Sequence, residues 1–182
     1  MELGKGTGLR KLCVAQEGLP VTPQASSVII RKAKKEDAPG ILACLRETFE
    51  EFRKSYTNEA FLDTVLTPET LEERLRKMII FVAVDSACQI VGTIACGLLS
   101  SEEGHLRGMA VLPSLRGSGI AAELLRQAET ELRQLRCARV TLDTTEPLLR
   151  AMRFYEKHGY RRSGRVTDFF GMPLIEYQRF LH

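Results

Sequence analysis

The chain has 182 residues, of which 44% are hydrophobic and 27% are charged, and its formal net charge at pH 7 is +3. These values are typical of one soluble globular domain that is long enough to bury a sizeable core. No apolar run is long enough to span a membrane, and no basic run is interleaved with aromatic residues, so we expect neither a membrane nor a nucleic acid as partner.

Residues 1–26 are polar and contain glycines, prolines and serines with little periodicity, which predicts a flexible tail before a single domain over residues 27–182. The first residues also lack the compact apolar segment of a secretory signal, so we expect a cytoplasmic protein.

The cysteines are odd in number and widely spaced, which predicts free, mostly buried thiols in a reducing compartment: Cys13, Cys44, Cys88, Cys96 and Cys137. The histidines lack metal-ligand spacing, so no metal is expected: His105, His158 and His182.

The first part of the domain is predicted to form a strand followed by two helices. The strand covers Ser27–Ala33, and apolar residues at helical spacing indicate a helix over Glu36–Phe52. A polar connection follows, centred on residues 54–59. The second helix is predicted over Pro68–Met78, because Thr67 can cap its first turn.

The rest of the chain is predicted to form six strands and two helices. The six strands are Ile79–Val84, Gln89–Leu99, Leu106–Leu112, Arg139–Thr145, Arg161–Thr167 and Pro173–Phe180. The two helices are Ile120–Leu135 and Leu148–Lys157. Strands and helices therefore alternate in the second half of the domain, as in an α/β arrangement.

The segment Arg116-Gly117-Ser118-Gly119-Ile120-Ala121 joins the predicted strand 106–112 to the helix that begins at Ile120. The first N–H groups of a helix have no partner inside the helix, and the helix dipole adds partial positive charge there. Gly117 and Gly119 have no Cβ, so a bulky anion can approach the backbone closely. Arg116 can add a charge-assisted hydrogen bond. The segment therefore predicts a site for a pyrophosphate group.

Three nucleotide-binding patterns can be compared with this segment, and taken alone it can also be an ordinary tight turn. A dinucleotide fingerprint requires Gly-x-Gly-x-x-Gly, but Ala122 stands at the third glycine and no βαβ repeat surrounds it. A P-loop requires Gly-Lys-Ser/Thr at its end, which is absent. An acyl-CoA turn has Arg or Gln followed three residues later by Gly and five residues later by Gly or Ala, and Arg116, Gly119 and Ala121 fit it.

Two longer motifs around this turn favour the acyl-CoA pattern. Residues 105–125, His-Leu-Arg-Gly-Met-Ala-Val-Leu-Pro-Ser-Leu-Arg-Gly-Ser-Gly-Ile-Ala-Ala-Glu-Leu-Leu, closely resemble the central motif of the GNAT superfamily of acyl-CoA-dependent N-acetyltransferases. Residues 151–160, Ala-Met-Arg-Phe-Tyr-Glu-Lys-His-Gly-Tyr, resemble the late helix of that family, and the resemblance covers most of residues 28–181 in order. It implies an α/β (α+β) fold, a mixed twisted sheet of about seven strands flanked by about four helices.

The resemblance implies acetyl-CoA as cosubstrate and assigns the residues that hold it. The main chain of Met109 and Val111 would bond the pantetheine arm, and the Arg116 side chain would bind the pyrophosphate. The N–H groups that join Arg116 there are those of Gly117, Ser118, Gly119, Ile120 and Ala121. One departure is Leu148, which stands where the family often has a cofactor-contacting Asn. It predicts weaker cofactor binding, or compensation by Arg150 or Arg153.

The resemblance also implies the catalytic residues. The family's late-helix Tyr, here Tyr155, points at the cofactor sulfur, and a phenol with a pKa of about 10 is protonated at neutral pH and can serve as acid. Several groups are candidates for the general base. His105 stands where many members carry a Glu, and an imidazole can accept a proton from an ammonium. Glu102 and Glu103 lie just upstream and can act instead, or the amine arrives neutral and needs no protein base.

The acceptor is not specified by these motifs. By resemblance, its specificity comes from residues 52–66 and 165–173, whose acids and aromatic side chains suit a small cationic amine as well as they suit a solvated loop. The first hypothesis is an N-acetyltransferase that moves an acetyl group from acetyl-CoA directly to a primary amine of a small molecule, an amino acid or a peptide N-terminus. The alternative is a non-catalytic acyl-CoA-binding or sensing domain. The resemblance also allows a homodimer.

Overall fold

The computed structural model describes residues 28–181 of the chain. The predicted flexible tail over residues 1–26 lies outside the described residues, as do Ser27, Cys13 and His182. The start of the domain at residue 27 therefore stays a prediction.

Within residues 28–181, seven strands form a single mixed sheet. Their bounds are β1 Ile29–Lys32, β2 Ile79–Val84, β3 Ile90–Leu98, β4 Glu103–Val111, β5 Arg139–Thr145, β6 Arg161–Phe169 and β7 Met172–Phe180. The order across the sheet is β1-β2-β3-β4-β5-β7-β6, and all neighbours are antiparallel except β4 and β5. This mixed sheet confirms the predicted fold class.

Five α-helices lie within the described residues and flank the sheet, one more than predicted. Their bounds are α1 Ala38–Phe49, α2 Asn58–Val65, α3 Pro68–Lys77, α4 Ile120–Gln134 and α5 Leu149–Lys157. The predicted helix over residues 36–52 is only partly right, since 3-10 turns at Lys35–Asp37 and Glu50–Ser55 flank a shorter α1. The predicted Thr67 cap of α3 is confirmed, because its side chain accepts a hydrogen bond from the Thr70 N–H.

The helix α2 occupies the segment that the sequence analysis treated as a polar connection. It has eight residues, and helices of this length are marginal in water without tertiary packing. The Thr57 hydroxyl caps its first turn by accepting from the Ala60 N–H at 3.3 Å. Phe61 and Val65 lie four positions apart and are both buried against the α1 side of the sheet. Packing therefore stabilises a helix whose sequence pattern is too short to stand out.

The two faces of the sheet carry separate cores. In β2, Ile80 and Val82 belong to the core under α1, α2 and α3, whereas Phe81 and Ala83 belong to the core under α4. This alternation follows from the two-residue period of a strand. The helices α1 to α3 therefore cover the β2–β4 part of one face, and α4 covers the opposite face.

A buried carboxylate joins α4 to the end of the chain. Glu129 of α4 is 4% exposed, and it accepts from Arg179 at 2.9 and 3.1 Å and from the Tyr160 hydroxyl at 2.9 Å. Arg133, one turn along α4, lies 3.5 Å away. These partners satisfy both carboxylate oxygens and so offset the loss of hydration.

Replacing Glu129 with Ala is expected to lower the free energy of unfolding by about 3 kcal/mol, because it removes one partner of a buried ion pair and leaves Arg179 uncompensated. Urea unfolding of the variant and the parent protein measures this change. The control is Glu123→Gln, which breaks the exposed pair with Arg126 and should cost less than about 1 kcal/mol. Equal losses in the two variants would contradict the role of Glu129 in the core.

Two features bear on where the protein can reside. Within residues 28–181, no helix combines the length and the apolar character that crossing a membrane requires. Three of the four described cysteines are buried and all four are free: Cys44, Cys88, Cys96 and Cys137, of which Cys88 is exposed. The cytoplasmic location stays a prediction.

Candidate active site

The two parallel strands at the centre of the sheet separate along their length. β4 and β5 pair only from Glu103 with Arg139 to Leu106 with Leu142. Beyond this point β4 continues to pair with β3 but no longer with β5. The separation opens a cleft with a volume of about 650 Å³, which is of the size that small-molecule sites have in proteins.

A bulge in β4 lies at the start of this separation. The β3–β4 register shifts between the pairs Ala95 with Arg107 and Thr93 with Ala110. Gly108 within the shift has a φ of 60°, a conformation that side-chain-bearing residues rarely adopt. Met109 and Val111 follow the bulge and line the cleft, as the predicted cofactor strand requires.

The glycine turn closes the far end of the cleft. Gly117 and Gly119 have φ angles of 82° and 89°, and Gly119 is the N-cap of α4. Among residues 28–181, no atom outside the adjoining residues lies within 4 Å of the place where a Cβ would stand at either glycine. No side chain in the described part of the chain caps α4, so its first N–H groups are left for an external acceptor. The turn thus has the open, donor-lined shape that an anion requires.

Arg116 points into the cleft and is held there by α1 and the turn after it. Its guanidinium donates to the carboxylate of Glu51 and to the Thr48 carbonyl, the latter at 3.5 Å. The side chain remains 24% exposed. A ligand anion at the turn would therefore share Arg116 with Glu51, a partner that the sequence analysis did not find.

Tyr155 reaches the cleft from the opposite side, on α5. Its ring is 6% exposed and packs edge-on against Tyr160, with 5.7 Å between the ring centroids. Its hydroxyl has no hydrogen-bond partner within residues 28–181. Burial raises the pKa of this phenol above its ordinary value, so the hydroxyl stays protonated at neutral pH. The arrangement leaves an O–H donor free at the cleft wall.

His105 lies on β4 where the two strands are still paired. Its Nδ1 is 2.9 Å from the Thr141 hydroxyl, and its Nε2 is 3.6 Å from an Asp143 carboxylate oxygen. Burial lowers the pKa of His105, and the charge of Asp143 opposes this effect. Burial raises the pKa of Asp143, and His105 opposes that in turn. Each group therefore limits the shift of the other.

The hydrogen bonds around Thr141 are compatible with the imidazole tautomer that a base at Nε2 requires. The Thr141 hydroxyl can donate to Glu103 or to the Gly104 carbonyl, both at 3.3 Å. It then accepts from Nδ1–H of His105, which leaves Nε2 as the proton acceptor. Nε2 is the nitrogen on the Asp143 side.

The other predicted bases lie away from the cleft. Glu103 is engaged by the Arg139 side chain, and Glu102 is exposed at the start of β4. His105 is therefore the one of the three that lines the cleft. Thr141 and Asp143 were not predicted as site residues, although their alternation with apolar residues on β5 places both on the polar face of that strand.

A second cavity of about 440 Å³ opens on the same face of the sheet, next to the cleft. His105, Arg107 and Asp143 line both cavities, so the two meet at these residues. The second cavity also receives Glu176 of β7 and Arg165 of β6, which form an ion pair at 3.5 Å. The space beside His105 is therefore lined by both acidic and basic groups.

The two predicted acceptor segments come together at the cleft. The Tyr56 hydroxyl bonds to the Thr145 hydroxyl at 2.6 Å, and the Thr57 hydroxyl donates to the Phe170 carbonyl at 2.9 Å. Among the acids and aromatic residues of these two segments, Asp63 and Phe169 line the cleft, Asp168 accepts from the Gly171 N–H, and Glu59 is exposed.

Leu148 also lines the cleft, at the start of α5. Of the two arginines predicted to compensate for it, Arg150 lines the cleft and Arg153 does not. Within the described part of the chain, no group of three or more His, Cys, Asp or Glu side chains is placed to hold a metal ion.

Comparison with known proteins adds three findings. Residues 41–160 match the family model described as the acetyltransferase (GNAT) family. An acetyltransferase of Agrobacterium fabrum is 36% identical over 77 residues, which are 42% of this chain and 51% of that protein. The aminoalkylphosphonate N-acetyltransferase of Salmonella typhimurium is 38% identical over 60 residues, 33% of this chain and 39% of that protein. The matches thus span about half or less of these curated relatives.

Solved structures share the fold across most of the chain. A GNAT-family acetyltransferase of Staphylococcus aureus has a TM-score of 0.70 at 20% identity, covering 86% of this chain and 100% of that one. PaiA N-acetyltransferase of Thermoplasma acidophilum, solved in complex with coenzyme A, has a TM-score of 0.70 at 19% identity, covering 82% and 98%. At identities this low, the likeness to these structures shows the fold alone.

Proposed function

We propose that this chain, which belongs to the GNAT family of acetyltransferases, transfers an acetyl group from acetyl-CoA to a primary amine. The observation that carries the proposal is the separation of β4 from β5 into a cleft that ends at an open glycine turn. A long ligand with a pyrophosphate at one end and a reactive group at the other fits this shape. The names of two relatives, acetyltransferase and N-acetyltransferase, agree with it.

The cofactor would lie along β4 with its pyrophosphate at the turn. The main chain of Met109 and Val111, which β5 does not cover, would bond the pantetheine arm as a neighbouring strand does. The N–H groups of residues 117–121 and the Arg116 guanidinium would bind the pyrophosphate. The thioester would then reach the point where β4 and β5 meet, between His105 and Tyr155.

The transfer would proceed by direct attack. Nε2 of His105 takes a proton from the acceptor ammonium, and the neutral nitrogen attacks the thioester carbonyl carbon. The carbon–sulfur bond breaks as the amide forms. Tyr155 donates a hydrogen bond to the departing sulfur and supplies the proton that turns the thiolate into CoA, and the second proton, which the acylated nitrogen loses as the amide forms, restores the phenol. Asp143 stabilises the imidazolium that the first step leaves.

Thermal unfolding with and without acetyl-CoA, CoA, NAD and ATP tests the proposed cofactor. A ligand at one hundred times its dissociation constant stabilises a protein by about 2.7 kcal/mol, which raises the melting temperature by several degrees. We expect this rise with acetyl-CoA and CoA and not with NAD or ATP. No rise with either acetyl-CoA or CoA would refute the proposed cofactor site. A separate assay, thiol release from acetyl-CoA with a panel of amines, tests the transfer itself.

A further inference from the structure

Two arginines converge where the cleft meets the second cavity. Arg74 comes from α3 and Arg107 from β4, on either side of the bulge at Gly108. Neither lies near the glycine turn, so the pyrophosphate site does not account for them. Their positions next to His105 relate them to the acceptor instead.

Arg74 is half-buried and has no ion pair or side-chain hydrogen bond within residues 28–181. Its Nη1 lies 3.0 Å from the place where a Cβ on Gly108 would stand, so its guanidinium rests against the β4 bulge. Burial lowers the pKa of Arg74 to about 10, repulsion from Arg107 adds to this effect, and Asp63 opposes it. A guanidinium held in this way stands ready to bind an anion.

Asp63 is the one carboxylate within ion-pair distance of these two arginines in the described part of the chain. It lies 3.4 Å from Arg107, longer than the 2.7–2.9 Å that is usual for a charge-assisted hydrogen bond. Its charge also acts on Arg74, but beyond ion-pair distance. The Asp143 carboxylate acts on Arg107 only from a longer distance and lies beside His105. Two guanidiniums therefore share one ion-pair partner at the cleft wall.

The basic pair, Arg74 and Arg107, lies next to the proposed base, because Arg107 is two residues from His105 along β4. Arg107 and His105 are two residues apart on β4, so both side chains face the same side and their Cα atoms are about 7 Å apart. The acidic groups Asp143 and Glu176 lie on the other side of His105, on β5 and β7. The basic pair thus lies on one side of His105, and the Asp143 carboxylate and the Glu176–Arg165 ion pair lie on the other.

We propose that the acceptor carries, in addition to its amine, an anionic group of the carboxylate, sulfonate or phosphonate kind, which Arg74 and Arg107 bind while the amine lies at His105. This inference rests on the proposed function and narrows its substrate class. The anion completes the hydrogen bonding of Arg74, and it directs the amine toward Nε2. An amine without the anion lacks both contacts.

The test uses the full chain and four primary amines of nearly equal length. β-Alanine, taurine and 2-aminoethylphosphonate carry a carboxylate, a sulfonate and a phosphonate on the same two-carbon spacer, and propylamine carries no charge there. We expect kcat/KM for acetyl-CoA-dependent thiol release to be at least about 10-fold higher for one or more of the anionic amines, as a charge-assisted contact would give. The preferred member identifies the anion.

Arg74→Met and Arg107→Met are each expected to lower kcat/KM for the preferred anionic amine by about 10- to 100-fold, mainly through KM. The loss for propylamine should be much smaller, because propylamine has no anion for either arginine to bind. The matched control is Arg76→Met, which removes an exposed arginine of α3 that lines neither cavity. Unchanged stabilisation by CoA shows that the variants fold.

Failure of this inference and failure of the proposed function give different results. Equal kcat/KM for propylamine and the three anionic amines, or unaltered selectivity in both variants, overturns the inference and leaves the acetyltransferase intact. If no amine releases thiol, the proposed function fails. Calorimetric titration of the protein in the presence of CoA with each anionic amine then tests the anion site at Arg74 and Arg107 independently of activity. Binding that Arg74→Met abolishes supports it, and absence of binding overturns it.

Discussion

Replacing Tyr155 with Phe is expected to lower kcat by about 100-fold or more, because the leaving thiolate loses its proton donor. CoA binding should change little, since the ring remains and only the hydroxyl is removed. Stability should also change little, because that hydroxyl has no protein partner within residues 28–181. Steady-state thiol release and thermal unfolding with CoA measure the two effects on the same samples.

Tyr160→Phe is the matched control for this substitution. Tyr160 packs edge-on against Tyr155 but lines neither cavity, and its hydroxyl donates to the buried Glu129 at 2.9 Å. Its removal should lower the free energy of unfolding by about 1–3 kcal/mol and leave kcat unchanged. An active Tyr155→Phe variant would exclude the acid role. A parent protein that binds CoA but transfers to no amine would instead favour the non-catalytic binding domain.

Replacing His105 with Gln is expected to lower kcat/KM by about 100-fold or more near pH 7, because the acceptor ammonium loses its base. Burial lowers the pKa of His105, so the imidazole of the parent protein is neutral at pH 7. The parent should therefore lose activity only as the pH falls below the ordinary histidine pKa of about 6.5. The variant should instead gain activity as the pH rises, since more of the free amine is then neutral.

Asp143→Asn separates the base from the group beside it. The Asp143 charge raises the pKa of His105 against the effect of burial, so its removal should shift the acidic limb of the pH profile to lower pH. The loss in kcat/KM should be smaller than in His105→Gln. A pH profile of His105→Gln that keeps the acidic limb of the parent would show that another group accepts the proton.

The sequence could predict the elements whose signals are local. The strand, turn and helix around residues 106–135 are marked by residues next to one another in the chain, and Gly117 and Gly119 adopt the positive φ that the anion turn requires. Tyr155 and His105 both line the cleft. Their catalytic roles stay predictions, as does the cofactor contact of each residue in the turn.

Elements with short or mixed signals were predicted less well. The helix α2 has eight residues and derives its stability from burying Phe61 and Val65, so its pattern did not separate it from a connection. The predicted helix over 36–52 ends in 3-10 turns at both sides. Helix ends depend on tertiary contacts that a periodic pattern does not contain.

The sequence by itself determined the order of the strands and of the helices other than α2, together with the glycine turn and the family motifs, because each of these depends on residues close together in the chain. Tertiary structure alone decided which side chains meet. Asp143 reaches His105 because β5 pairs with β4, Glu51 reaches Arg116 because α1 packs over the cleft, and Arg74 meets Arg107 at a bulge. Spacing along a strand defines the face on which a residue lies, whereas strand order and helix packing determine what lies opposite.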